Sequence, residues 1–218
     1  MAIDLYYTPG SAPCRLVLLV AAALNVPLQL QPTDLGAGEH LTPDFLKINP
    51  QHTVPTIVDD GFSLWESRAI SRYLINKYGG ENLYPQDPRT RALVDQRLDF
   101  DLGTLYPRFA QYFYPQVFGG APVGEDLLQK LEEALQFLDT FLEGQTYAVG
   151  PDLTLADLAL VATVSTIDAS GISVKPYANL DRWFDLVKRT APNYEEANGK
   201  GIEMFKAMVA QLKAKTEL

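Results

Sequence analysis

The spacing of apolar and polar positions separates the chain into a first part with strands and helices and a second part with helices alone. Short β-favouring or alternating runs predict four strands, at Ile3–Tyr7, Leu28–Gln31, Thr56–Val58 and Phe62–Leu64. Apolar residues at helical spacing predict three helices, at Pro13–Asn25, Thr42–Ile48 and Glu66–Tyr78. In this β-α-β-α-β-β-α order the first two strands are parallel, and the last two form an antiparallel hairpin around Asp60–Gly61.

After Pro88 the pattern is helical throughout. Helices are predicted at Arg89–Phe118, with a kink or break at Pro107 and Pro115, and after a loop at Gly119–Gly124 also at Leu127–Gly144, Thr154–Asp168, Asn179–Thr190 and Asn193–Leu212. The helix from Thr154 is apolar nearly all round, which predicts a buried centre, and Thr154 with Asp157 has capping-box spacing. The fold class is therefore α/β plus all-α, with domains at residues 1–80 and 89–218 and a polar linker at 81–88.

Composition narrows the class of protein. The chain has 218 residues, of which 47% are hydrophobic and 21% charged, as in a globular protein with a sizeable core. Its longest apolar run, Leu16–Leu24, is too short to span a bilayer, and no leader segment opens the chain, so a cytoplasmic protein is expected. One cysteine and two histidines are too few for a disulfide framework or a metal cluster. The net charge of −9 argues against nucleic-acid or anionic-membrane surfaces.

The segment Tyr6–Arg15 places a hydroxyl and a thiol at the start of the first helix. Ser11 can lower the pKa of a thiol together with the helix dipole, or it can simply be the N-cap residue. Cys14 can be a nucleophile or a buried, inert side chain. Its partner position for a dithiol motif is serine, which leaves no dithiol redox cycle.

The segment Asn49–Arg68 can hold a small peptide-like anion. An extended stretch leads to Val54–Pro55, where a cis bond would turn the Val54 backbone outward to pair with a peptide, whereas a trans bond is the ordinary state. Glu66–Ser67–Arg68 stands at a helix start and can grip a carboxylate and an ammonium, or can act as plain capping and surface charge. His40 and His52 fall beside these segments.

An aromatic cluster marks the helix before Gly119. Its members are more numerous than one helical stripe needs, so some are core and some are expected to line a cavity that faces the first domain: Tyr106, Phe109, Tyr112, Phe113, Tyr114 and Phe118. Such a wall suits a flat, apolar co-substrate.

Taken together, the motifs S-A-P-C-R, L-x-x-G-E-H-L, F-L-K-I-N-P-Q-H-T-V-P-T, L-W-E-S-R-A-I and L-T-L-A-D-L resemble the cytosolic glutathione transferases, and most of all the delta class of arthropods. The resemblance covers the whole chain in order. It implies a thioredoxin-like N-terminal domain, an all-helical C-terminal domain, a homodimer, a cis Val54–Pro55 bond, and glutathione as co-substrate without a prosthetic group.

The resemblance also implies roles for individual residues. Ser11 stabilises the glutathione thiolate, in preference to Tyr7, which aligns with the catalytic tyrosine of other classes. The residues implied to bind glutathione are Ser11, His40, His52, Thr53, Val54, Pro55, Glu66, Ser67 and Arg68. The residues implied to line the electrophile pocket are Ala12, Pro13, Leu35, Tyr106, Phe109, Tyr112, Tyr114, Phe118 and Phe205.

The expected function is conjugation of glutathione to apolar electrophiles, with peroxide reduction or dehydrohalogenation as side activities. Two alternatives from other classes are a non-catalytic carrier of apolar molecules and a glutathione-dependent thiol oxidoreductase acting through Cys14. A turnover assay with a generic electrophile distinguishes the transferase from the carrier. Full activity in a Cys14→Ser variant would exclude the oxidoreductase.

Overall fold

The computed structural model describes residues 3–119 and 123–216, so part of the predicted Gly119–Gly124 loop and both chain ends lie outside the described residues. The predicted element order of the first part is confirmed. The strands are β1 (Ile3–Tyr7), β2 (Leu28–Pro32), β3 (Thr56–Asp59) and β4 (Phe62–Trp65). The helices are α1 (Ala12–Leu24), α2 (Pro43–Ile48) and α3 (Ser67–Tyr78), with a 3-10 turn at Glu39–Leu41.

The four strands form one sheet in the order β2-β1-β3-β4. β1 and β2 are parallel and β3 and β4 are antiparallel, as the sequence predicts. β3 also pairs antiparallel with β1. Buried apolar residues of α1 and α3, among them Leu16, Leu19, Ile70 and Leu74, form the core together with Leu5 and Ile57 of the sheet. This is a thioredoxin-like domain, and it places the start of α1 and the start of α3 beside the loop before β3.

The described residues of the second part form helices joined by turns and loops, and no strand occurs among them. Its helices are α4 (Pro88–Phe100), α5 (Tyr106–Phe118), α6 (Glu125–Phe141), α7 (Leu155–Ala169), α8 (Ala178–Thr190) and α9 (Lys200–Thr216). Five-residue π-helical turns at Asp101–Leu105 and Glu195–Gly199 lead into α5 and α9. The gap between Tyr78 and Pro88 agrees with a linker, although the exact domain boundaries stay a prediction.

The predicted helix Arg89–Phe118 is interrupted as expected, but the interruption lies before its prolines and not at them. The helical hydrogen-bond pattern changes at Asp101–Leu105, and Pro107 follows in the first turn of α5, where its missing N–H costs little. Pro115 lies inside α5, which continues to Phe118, so the break predicted at Pro115 is wrong, whereas a kink there stays a prediction. A proline removes one hydrogen bond of the turn before it and leaves its own carbonyl free to accept, so the helix can continue past Pro115 to the Gly119 N–H.

Helix α7 is the centre of the second domain, as its all-round apolar pattern predicts. Its residues from Leu155 to Ile167 are all buried. The Asp157 carboxylate accepts hydrogen bonds from the backbone N–H and hydroxyl of Thr154, both at 2.9 Å, from the Ala148 N–H at 2.7 Å and from Trp183 Nε1 at 2.8 Å. α1 packs against α7, so the two domains share one contiguous core.

Candidate functional site

A cavity of about 200 Å³ lies between the two domains, at the start of α1 and the start of α3. We call it the interdomain cavity. Its lining residues are Ala12, Pro13, Leu16, Thr53, Val54, Pro55, Glu66, Ser67, Arg68, Leu102, Tyr106, Ala159 and Thr163. Three segments distant in sequence therefore meet at one place: the first turn of α1, the loop before β3 and the first turn of α3.

The loop before β3 is held by a buried amide. Asn49 Nδ2 donates to the Thr53 carbonyl at 3.0 Å and to Thr56 Oγ1 at 2.8 Å, and Asn49 Oδ1 accepts from the Gln51 N–H at 2.9 Å. The Val54–Pro55 bond that follows is cis. The loop is thus fixed from within the domain, which leaves Thr53, Val54 and Pro55 at the cavity wall.

Glu66 occupies a backbone conformation that is uncommon for a residue with a side chain. Its φ is 69°, and its carboxylate is exposed and accepts a hydrogen bond from Gln51 Nε2 at 3.1 Å. Non-glycine residues in strained conformations cluster at functional sites because the surrounding structure must enforce them. The bend places Glu66 at the cavity, next to the buried Ser67 that opens α3.

Arg68 is fixed by a carboxylate from the other domain. Its guanidinium pairs with Asp101, the first residue of the π-helical turn, and Asp101 is fully buried. Burial raises the pKa of the Asp101 carboxyl, while the Arg68 charge and the Thr163 hydroxyl oppose the rise. Asp101 was not among the residues that the sequence predicts for the site, because the pairing depends on how the two domains pack.

Ser11 stands immediately before α1 in an extended conformation. Its N–H donates to the Thr8 carbonyl at 3.0 Å, and its side chain makes no capping hydrogen bond to the helix. The next two residues, Ala12 and Pro13, line the interdomain cavity. The hydroxyl therefore lies at the positive end of the helix dipole without serving as the cap.

Cys14 is buried and Tyr7 faces elsewhere. Burial raises the pKa of the Cys14 thiol to about 11, despite the nearby Ser11 hydroxyl and Thr8 backbone, so the thiol is protonated at neutral pH.

Tyr7 lines a second cavity of about 350 Å³ together with Leu18 and Met204, and that cavity shares no lining residue with the interdomain cavity.

The two histidines lie near each other, with ring centroids 6.2 Å apart. His52 has a φ of 48°, a second strained non-glycine position, and His40 Nδ1 is buried without a hydrogen-bond partner. Neither ring lines the interdomain cavity, although His52 adjoins Thr53, which does. Their role in ligand binding stays a prediction.

Of the aromatic cluster, Tyr106 lines the interdomain cavity, and its hydroxyl is 3.1 Å from that of Tyr114. Phe109 is fully buried, and Phe113 stacks on it with centroids 5.1 Å apart. The remaining residues predicted for the electrophile pocket lie outside the cavity wall: Phe205 is buried, Tyr112 and Tyr114 are partly buried, and Leu35 and Phe118 are exposed.

Four lining residues were missed by the sequence reasoning, namely Leu16, Leu102, Ala159 and Thr163. Leu16 has the spacing of an ordinary core residue of α1, and Ala159 and Thr163 lie one turn apart on the buried helix α7. Nothing in their local sequence distinguishes them from core positions. Leu102 is 50% exposed and belongs to the π-helical turn, which no sequence pattern indicated.

The described residues also bear on membrane spanning and metal binding. No helix there is long and apolar enough to cross a membrane. No group of three histidine, cysteine, aspartate or glutamate side chains in that part of the chain is placed to hold a metal ion.

Two protein-family models match most of the chain. The model described as the glutathione S-transferase N-terminal domain matches residues 5–82, and the model described as the glutathione S-transferase C-terminal domain matches residues 93–190. The first match covers most of the thioredoxin-like part, and the second covers the helical part from within α4 to the end of α8.

Solved structures of insect glutathione transferases are similar over almost the full chain. A delta-class enzyme of Nilaparvata lugens is 55% identical, with a TM-score of 0.94 over 96% of this chain and 99% of that chain. A Bombyx mori glutathione transferase in complex with GTT is 44% identical, with a TM-score of 0.91 over 95% and 98%. Glutathione transferase E6 of Drosophila melanogaster is 38% identical, with a TM-score of 0.89 over 96% and 97%.

Proposed function

Because the chain belongs to the glutathione S-transferase family, we propose that the interdomain cavity is its glutathione site and that Ser11 stabilises the glutathione thiolate there. Glutathione transferase activity follows from the family and from the similarity to delta-class enzymes. The proposal concerns which residues of this chain perform it. It uses glutathione as co-substrate and no prosthetic group.

Backbone and charged groups around the cavity hold the tripeptide. The Val54 backbone pairs with the cysteinyl part of glutathione as an added strand does. Glu66 faces the ammonium of the γ-glutamyl end, and the start of α3 at Ser67, with the Arg68 cation, faces its carboxylate. Thr53 and Pro55 shape the wall, and His40 and His52 lie toward the glycyl carboxylate.

Ser11 acts on the sulfur. Its hydroxyl donates a hydrogen bond to the thiolate, and the N-terminal dipole of α1 favours the negative charge. A decrease of about two units in the thiol pKa corresponds to roughly 2.7 kcal/mol of preference for the ionised form. The observation that supports the assignment is the position of Ser11 at the helix start, where its side chain does not cap the helix. It directly precedes Ala12 and Pro13, which line the same cavity as Thr53–Pro55 and Glu66–Arg68.

The thiolate then attacks an electrophilic carbon of an apolar molecule. A sulfur–carbon bond forms, and either a leaving group departs with the bonding electrons or the electrophile takes a proton after addition. Tyr106, Ala12 and Pro13 line the cavity and form its wall toward the electrophile. The other predicted pocket residues remain candidates for longer substrates: Leu35, Phe109, Tyr112, Tyr114, Phe118 and Phe205. Peroxide reduction and dehydrohalogenation are proposed side activities of the same thiolate.

The experiment is a turnover assay with glutathione and an activated aryl halide. We expect the Ser11→Ala variant to lose most of kcat, on the order of a hundredfold, while its affinity for glutathione changes by a factor of a few. Tyr7→Phe is the matched control and should keep near-normal turnover. Normal turnover in Ser11→Ala together with loss in Tyr7→Phe would reverse the assignment. A carrier would show no turnover in any variant, and no observation favours that reading.

We further propose that the protein is a cytoplasmic homodimer, as is usual in its family. Exposed apolar side chains on β4 and α4 support an intersubunit surface: Phe62 is 49% exposed and Leu93 is 47% exposed. Sedimentation equilibrium measures the molecular mass in solution. A mass equal to that of a single chain at micromolar concentration would contradict the proposed homodimer.

A further inference from the structure

Arg15 is a buried cation one helical turn beyond Ser11. Its side chain has no exposed surface. Its backbone N–H donates to the Ser11 carbonyl at 3.0 Å, which fixes the spacing of the two residues in α1. The guanidinium crosses to the helical domain. There it donates to Ser165 Oγ at 3.1 Å, to the Ala162 carbonyl at 3.3 Å, and to the side chains of Thr166 and Asn198.

All four acceptors are neutral. Among the described residues Arg15 has no carboxylate within salt-bridge distance, and its Nε has no hydrogen-bond partner. The titratable groups that face it are the Cys14 thiol on its own helix and the phenols of Tyr106, Tyr114 and Tyr194. Burial raises the pKa of the thiol and of each phenol, so these groups are uncharged at neutral pH.

Arg15 nevertheless remains charged. Burial lowers the pKa of its guanidinium to about 10, which still leaves it protonated at neutral pH. A buried charge without a countercharge is costly, and proteins usually supply a partner. Arg68, at the same domain boundary, forms an ion pair with Asp101, so a comparable cation of this protein does have a countercharge. The positive charge of Arg15 is thus left available to an anion that arrives with a ligand.

The location of Arg15 indicates which anion that is. Arg15 follows Ser11 by one turn of α1, and Tyr106, whose phenol interacts with its charge, lines the interdomain cavity. We propose that Arg15 is a positioning residue whose uncompensated charge, one helical turn beyond Ser11, stabilises the glutathione thiolate without contacting it. This inference rests on the proposed function of Ser11 and the cavity.

The sharpest test changes the charge beside Arg15 and leaves Arg15 in place. Asn198 accepts from the guanidinium through Oδ1 and donates through Nδ2 to Ser165 Oγ and to the Tyr194 hydroxyl. Asn198→Asp keeps the shape and adds a carboxylate, and both hydroxyls can reverse and donate to it. The measurement is the pKa of the bound glutathione thiol, obtained from the ultraviolet absorbance of the thiolate against pH.

We expect Asn198→Asp to raise that pKa by on the order of one unit, because a charge several ångströms away inside a protein has an effect of this size. At acidic pH kcat/KM should fall by a factor approaching ten. An unchanged pKa in a folded Asn198→Asp protein would overturn the inference, since a purely structural arginine is unaffected or strengthened by a closer countercharge.

Ser165→Ala is the matched control, because it removes an acceptor of Arg15 without changing any charge. It should lower the melting temperature and leave the thiol pKa unchanged. An equal pKa shift in Ser165→Ala would mean that packing, and not charge, controls ionisation.

If Asn198→Asp does not fold, the pair Arg15→Lys and Arg15→Gln replaces it. The lysine variant should keep a thiol pKa near that of the wild type and the glutamine variant should not, and equal values would contradict the inference. A wild-type protein that does not lower the thiol pKa would instead refute the proposed function itself.

Discussion

At the scale of single residues, the Ser11 hydroxyl and the Cys14 thiol of the segment Tyr6–Arg15 differ in their surroundings. Ser11 adjoins the interdomain cavity, whereas Cys14, three residues later, points into the core and its thiol pKa is raised to about 11. A thiol that stays protonated is a poor nucleophile. This placement argues against a redox reaction through Cys14.

The first prediction follows for Cys14→Ala. Conjugating activity should stay within about twofold of the wild type, because the side chain does not reach the site, and stability should fall by about 1 kcal/mol for the lost sulfur atom. Steady-state kinetics and urea unfolding measure the two effects. A hundredfold loss of activity with normal folding would restore Cys14 as a nucleophile.

The pH dependence of that stability difference has a definite sign. The folded-state pKa of Cys14, about 11, lies above its reference value of 9.0, so the folded protein holds the proton more tightly than the unfolded chain. The contribution to stability is therefore complete below about pH 9 and is lost as the pH rises toward about 11. The unfolding free energy of the wild type, relative to Cys14→Ala, should fall by roughly 2 to 3 kcal/mol across this window.

Many residues of the candidate site can be predicted from residue types and their order along the chain. Ser11, Val54–Pro55 and Glu66–Arg68 are recognisable because their chemistry suits a peptide with charged ends. The left-handed backbone at His52 and Glu66 was not predictable, because such conformations are imposed by the surrounding fold and leave no mark on the side-chain pattern.

At the scale of elements, local signals located the strands, the hairpin and most helix ends. The Asp60–Gly61 turn and the Thr154–Asp157 capping box depend on residues within four positions of each other, which is why sequence alone finds them. The π-helical turn at Asp101–Leu105 packs against α6 and α7, which lie far from it in sequence, so no local pattern indicates it. The sequence analysis therefore placed the interruption at Pro107 and Pro115, which follow the turn.

The second prediction concerns the start of α7. Asp157→Ala removes the acceptor of several buried donors, including the Ala148 N–H and Trp183 Nε1, and should lower the unfolding free energy by on the order of 3 to 5 kcal/mol. Urea unfolding followed by circular dichroism measures it. Asp152→Ala, an exposed aspartate in the preceding loop, is the control and should change stability by less than about 0.5 kcal/mol. Equal losses in both variants would refute the capping role.

At the scale of the whole molecule, the site exists only where the two domains meet. α1, α3, the π-helical turn, α5 and α7 each contribute to the cavity wall, so the spacing between domains sets its shape. The fold of each domain and the lining residue Tyr106 are predictable from the sequence, but the other lining residues of the second domain are not. Ala159 and Thr163 are ordinary buried residues of α7 until the domains are docked.

The third prediction tests this docking. A Cβ on Gly201 of α9 would lie 2.3 Å from the Pro9 carbonyl oxygen and 2.5 Å from Arg15 Cδ, so Gly201→Ala must push α9 away from the start of α1. A cost of about 1 to 3 kcal/mol is expected, with reduced turnover. Gly103→Ala, where a Cβ meets nothing within 4 Å, is the control and should be neutral or stabilising by up to about 1 kcal/mol. Thermal unfolding compares them, and an equally stable Gly201→Ala would contradict the close packing.

The most direct test of the account is the ionisation of bound glutathione, followed by thiolate absorbance against pH in the wild type, in Ser11→Ala and in Tyr7→Phe. The account predicts a thiol pKa about two units below that of free glutathione in the wild type and in Tyr7→Phe, and a return to within about half a unit of the free value in Ser11→Ala. A Ser11→Ala protein that binds glutathione with the wild-type thiol pKa would contradict it.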